Sequence, residues 1–172
     1  MRKGKKQLSF GISTPQEFFT KLKQEQQSLD EDLTSSRYAI NAAMTAWHLR
    51  EWVWGLAVKK NMEVKKKLGK YSKTRKTFYN YLLAQCPELE TMQCICEGAK
   101  HLGTKGTSVD NTSVHGGAFN NNSFSKAFDI SRLQIEKDDK TKEKDDKTKV
   151  YFDNELKNVI DFWEQFFIDY LS

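Results

Sequence analysis

The chain has 172 residues, a formal net charge of +5, and 38% hydrophobic with 12% aromatic residues, which is enough apolar material for one continuous core and one domain. No apolar run approaches the roughly 20 residues needed to cross a bilayer, and residues 1–6 are charged without the apolar segment of a signal peptide, so a cytoplasmic protein without membrane contact is expected. Cys86, Cys94 and Cys96 are odd in number and clustered, which suits reduced thiols better than a disulfide framework.

Arg2, Lys3, Lys5 and Lys6 make residues 1–13 a basic N-terminal arm. A single helical domain is expected over residues 14–172, starting where Thr14 caps, Pro15 occupies the first helical position and Glu17 stands three residues after the cap. Phe18, Leu22, Leu29 and Leu33 continue at helical spacing. Thr34, Ser35 and Ser36 cap a second helix in which Ala39, Ala42, Ala43, Ala46, Leu49, Val53 and Leu56 form one stripe beside Trp47 and Trp54. Small residues facing large ones predict a closely packed helix pair.

Directly after this tryptophan helix come Lys59, Lys60, Lys65, Lys66, Lys67, Lys70, Lys73, Arg75 and Lys76, opposed within that stretch only by Glu63. The two basic segments exceed the net charge, so the rest of the chain is acidic and the molecule is polarised. Such density calls for an anionic partner or open water. With Tyr71, Phe78 and Tyr79 interleaved it predicts a surface that tracks a phosphate backbone, although a plain solvated face explains the same charges.

Gly69 interrupts the basic stretch, and a third helix is predicted over 72–85 with Phe78, Tyr79, Leu82 and Leu83 inward. Pro87 restarts a fourth, whose stripe is Leu89, Met92, Ile95 and Ala99 and whose end is marked by Gly98 and Gly103. Residues 103–125 turn to Gly, Ser, Thr and Asn and read as an irregular connector. Alternation over 128–136 and a short partner at 150–152 predict an antiparallel β-hairpin before the last helix. Between them, residues 136–149 are a tandem duplication, EKDDKTK twice; with no apolar seam it reads as a flexible, solvated hairpin tip, and one copy fewer leaves an ordinary short turn. Asp153 or Asn154 then caps a final helix with Leu156, Val159, Ile160, Trp163, Phe166, Phe167 and Tyr170 on one face. Any surplus of that face would form a homodimer contact.

Several residues invite chemistry. His48 with Arg50 suits acid/base work beside a phosphate, against the simpler reading of a half-buried histidine bonded within the bundle. Lys100 and His101 sit at the end of the fourth helix, where a histidine also complements the helix dipole. His115 reads as a loop histidine. Cys94, Cys96, His101 and His115 make a poor metal set, because a one-residue separation turns two helical cysteines about 200° apart. No cofactor and no metal are expected.

The segments TAWHLREWVW, CPELETMQCICEGAKHLG, HGGAF with FDISRLQI, and VIDFWEQFF together resemble a group of small bacterial proteins of defence and mobile-element genes. The helical core also resembles the HEPN class of bundles, many of which are metal-independent ribonucleases or nucleotide-binding partners acting as dimers. The resemblance implies a mainly α, HEPN-like bundle of about five helices and a role in binding nucleic acid, RNA or DNA. Cleaving members set an arginine a few residues before a histidine, and none stands so before His48, His101 or His115. The reading is therefore a binding module, with a ribonuclease using His48, Arg50, Lys100 and His101, or an antitoxin-like subunit meeting an acidic protein, as the alternatives.

Overall fold

A computed structural model describes residues 10–100, 109–115, 131–138 and 147–171. The basic arm through residue 9, His101, Gly103 and most of the duplicated tip lie outside these. The described chain is mainly helical, with six α-helices and a three-stranded antiparallel sheet placed before the last helix.

Helix α1 spans Pro15–Glu31. Its start is the expected reciprocal cap: Thr14 Oγ1 accepts from the Glu17 amide at 3.1 Å, and Glu17 Oε2 accepts from the Thr14 amide at 3.0 Å. Helix α2, Ser36–Trp52, is capped by Ser35 and runs through the middle of the bundle between α1 and α5. Ala39, Ala42, Ala43 and Ala46 are buried, and their small side chains let neighbouring backbones approach closely. Phe18 stacks on Trp52 at 4.8 Å across this contact.

Beyond Trp52 the helix widens into a π-helical segment, Val53–Val58, closed by the Lys59 amide donating to the Trp54 carbonyl at 2.9 Å. The extra residue per turn rotates the following stripe by about 100°. Val58, at 0% exposure, is therefore buried, and Leu56, which uninterrupted α periodicity places in the core, is 38% exposed.

The basic stretch contains a helix of its own. Helix α3, Met62–Leu68, is capped by Asn61 and turns Val64 and Leu68 inward. Gly69 ends it at φ 55° and ψ −125°, a conformation that side chains with a Cβ rarely adopt, and a 3-10 turn, Gly69–Ser72, follows. The helix predicted from residue 72 consequently begins later, as α4 over Arg75–Gln85, with Thr74 and Thr77 capping each other. Helix α5, Glu88–Lys100, passes through Gly98 instead of stopping there.

The sheet differs most from expectation. Strand β1, Val109–His115, lies inside the segment read as an irregular connector, so the expected hairpin is a three-stranded sheet ordered β1-β2-β3. Its sequence, VDNTSVH, has neither a continuous apolar run nor clean alternation. It is an edge strand held by pairing to β2, Arg132–Asp138, which supplies the ladder its own pattern does not advertise. Strand β3, Lys147–Tyr151, pairs with β2 through Ile135↔Val150 and continues into the duplication as Glu136↔Lys149, Lys137↔Thr148 and Asp138↔Lys147. Each end of the duplicated segment is thus strand rather than tip.

Helix α6, Phe152–Leu171, begins at once after β3, one residue before the predicted caps. Phe152, Leu156, Val159, Ile160, Trp163 and Phe166 are buried. Most of the wide apolar face is covered within the chain itself, and Phe167 and Tyr170 at its edge are partly buried. Phe78 meets both Phe166 at 6.0 Å and Trp54 at 5.7 Å, joining α6, α4 and the π segment. The Leu133 amide donates to the Leu33 carbonyl at 3.0 Å, tying β2 to the α1–α2 connection.

Because Ile135↔Val150 and the Leu33 tie set the sheet register, the second copy of EKDDKTK is dispensable. Deleting residues 140–146 joins the retained Lys137↔Thr148 pair through three residues, a common hairpin loop length. The expected melting temperature stays within about 2 °C of the parent. A large drop in calorimetry would show that the duplication itself supports the sheet.

Candidate functional site

Of the nine cations at 59–76, Lys65 is half-buried and the other eight are exposed. The reason is local: Val64 and Leu68 face the core, so Lys65, Lys66 and Lys67 fan around the outer side of a two-turn helix. Asn61 caps that helix, and the three lysines occupy its last turn, where positive charge complements the helix dipole. Among the described residues one ion pair involves the stretch, Arg75 Nη1 to Glu51 Oε2 at 3.4 Å. Lys67 Nζ donates to the Asp169 carbonyl at 2.9 Å, fastening α3 to the end of α6.

Tyr71 lies within these cations at 38% exposure. Phe78, named with it from the sequence, is fully buried at 0%, and the Tyr79 hydroxyl is buried on the side of Glu51.

A second cluster forms where α2, α4 and α5 meet. Arg50 lies 3.3 Å from the Trp47 ring centroid and 4.1 Å from that of Tyr79, and its Nε donates to the Trp47 carbonyl at 3.1 Å. Its side chain keeps only 15% exposure, so the guanidinium is a clamp between helices rather than an outward-facing phosphate ligand. Tyr79 has its pKa pushed up, first by burial and then by the Glu51 carboxylate.

His48 is on the exposed side of α2, with Nε2 3.7 Å from Cys96 Sγ. Partial desolvation of the ring first, then Arg50 and Lys100, lower the His48 pKa against an opposing pull from Glu51. His48 thus feels the charges of both Arg50 and Lys100, while Arg50 itself is held between the rings of Trp47 and Tyr79. His101 is outside the described residues. His115, on β1, packs its ring 5.9 Å from Tyr151, so it is a strand residue and not a loop histidine.

The thiol beside His48 is not prepared for attack. Burial raises the Cys96 pKa, with Glu97 adding to it, and burial together with Glu88 pushes Cys86 up to about 12. Protonated thiols are poor nucleophiles and poor ligands. No three His, Cys, Asp or Glu side chains come together as a metal set among the described residues.

What the sequence did not disclose is that Arg75 and Tyr79 of α4 and Cys96 of α5 converge on His48, Arg50 and Glu51 of α2. Helical spacing within one segment carries no information about which neighbouring helix faces it.

The histidine has a measurable signature. Its folded pKa lies below its unfolded value, near 6.5, so the unfolded chain binds the proton more tightly. Stability is unaffected by this group above that value and falls as pH drops through the histidine range. His48→Gln should flatten that part of the profile between about pH 7.5 and pH 5. Superimposable denaturation profiles for parent and variant would remove the effect.

No protein-family model, no curated protein and no solved structure matches this chain. The fold and surface define a mainly helical protein with a small antiparallel sheet and an exposed basic segment. No helix among the described residues is long and apolar enough to cross a membrane.

Proposed function

We propose that this chain is a nucleic-acid- or polyanion-binding helical protein whose contact surface is the basic stretch at 59–76. The observation that carries the reading is the lack of internal neutralisation: eight exposed cations, with Arg75 alone paired to a carboxylate among the described residues. Lysines left in solvent on consecutive short elements can neutralise successive phosphates, and the condensed cations that this releases from the nucleic acid drive association. Phosphate contacts of this kind position a strand and do not read bases.

The resemblance to HEPN-like bundles and to small proteins of bacterial defence and mobile elements supplies the setting, and on it we extend the HEPN-like reading to the fold. Binding is favoured over RNA cleavage because Arg50, the residue wanted for the phosphate, is stacked between two rings and hydrogen-bonded to the main chain.

The test is titration of labelled RNA and DNA against salt. Affinity should fall steeply and linearly on logarithmic axes between about 50 and 200 mM salt. Failure to bind either polymer at the low-salt end removes the proposal.

A further inference from the structure

The ring of Tyr71 stands among the cations with a rigid backing. It stacks on Tyr81 at 4.5 Å between centroids and 28° between planes, and the Tyr81 hydroxyl meets that of Tyr170 at 3.0 Å. The 3-10 turn that carries Tyr71 is closed by Ser72, whose hydroxyl is 2.8 Å from the Gly69 carbonyl and 3.1 Å from that of Lys65. Lys70 Nζ sits 5.1 Å from the Tyr71 centroid, and Lys73 is exposed just beyond the turn. The ring is thus held in place before any ligand arrives, on a turn with a cation on either side in sequence.

From this arrangement we infer that the basic surface takes single-stranded nucleic acid, with Tyr71 as a stacking platform for an unpaired base and Lys70 and Lys73 on the flanking phosphates. The inference rests on the polyanion reading and narrows it. An aromatic face adds affinity only where a base presents its own face, which a duplex keeps inside its stack. Nothing in such a contact distinguishes ribose from deoxyribose, so single-stranded RNA and single-stranded DNA share the chemistry.

The experiment compares uniform single-stranded oligonucleotides, oligo-U and oligo-dT, with a mixed-sequence duplex of equal charge, using fluorescence anisotropy at fixed salt. The parent should bind both single strands more tightly than the duplex. Tyr71→Ala should weaken single-strand binding about tenfold or more while leaving duplex binding and the salt slope unchanged. Tyr71→Phe, which keeps the ring, should retain the parent affinity and separates stacking from a folding defect. Equal affinity for single strand and duplex, or an unaltered Tyr71→Ala, overturns the platform and leaves polyanion binding standing. Absence of binding to all three ligands overturns both.

Discussion

Changing Lys65, Lys66 and Lys67 together to glutamate is expected to abolish measurable RNA and DNA binding at physiological salt. The three follow one another on α3, flank the inward Val64 and Leu68, and have no carboxylate partner among the described residues. Each lysine that leaves a phosphate should lower the salt slope by about one, so the residual slope at low salt should be smaller by about three. Reversal of sign adds repulsion to the lost attraction, whereas the corresponding glutamine variant removes attraction alone and should retain weak binding.

Folding should survive the change, because Val64 and Leu68 supply the inward face. Two of the three lysines are exposed, and exposed charges contribute little to stability. The structural costs are the loss of the Lys67 tether to Asp169 and three negative charges against the dipole in the last turn of α3, and circular dichroism of the variant measures them. Equal affinity of parent and triple-glutamate protein for bulk RNA would sink the assignment of this surface.

The second large effect concerns stability. Glu155 is buried near the start of α6, where it accepts from Thr91 Oγ1 of α5 at 2.8 Å and from Lys137 Nζ of β2. One carboxylate therefore links a helix, a second helix and the sheet. Side-chain exposures of 24% for Lys137 and 11% for Glu155 place the pair mostly out of water. Lys137→Ala leaves the carboxylate buried without its cation, which should destabilise the fold by about 3 kcal/mol. For a chain of this size that lowers the melting temperature by roughly 6–12 °C.

The double variant Lys137→Met with Glu155→Gln removes both charges and keeps an acceptor for Thr91. It should recover most of the loss, since an apolar or neutral pair of similar shape avoids the desolvation cost. A double variant as unstable as Lys137→Ala would mean that the charge pair itself, rather than the stranded carboxylate, holds the sheet to the helices.

Lys137 also shows how much was legible beforehand. It belongs to the first copy of the duplication, a segment whose uniform polarity reads as solvated tip. Nothing in EKDDKTK distinguishes the lysine that reaches a buried glutamate from its neighbours, because the distinction depends on α6 lying beneath β2. The same limit applies to Arg50, which reads as a phosphate ligand beside His48 until Trp47 and Tyr79 are found on its two sides. Likewise, three aromatics neighbour the lysines in sequence, and of these Tyr71 is exposed while Phe78 is buried and Tyr79 half-buried.

By itself the amino-acid order determined whatever depends on residues a few positions apart: the Thr14–Glu17 cap, the alanine stripe of α2, the apolar face of α6, and the charge density at 59–76. Those follow from backbone hydrogen-bond closure and side-chain periodicity, which act within one or two turns. The tertiary structure alone decided that VDNTSVH pairs as a strand, that the π segment turns Leu56 outward, and that Arg50 clamps while Tyr71 stays accessible. Each of these is set by contact between segments distant along the chain, where packing and desolvation outweigh local preference.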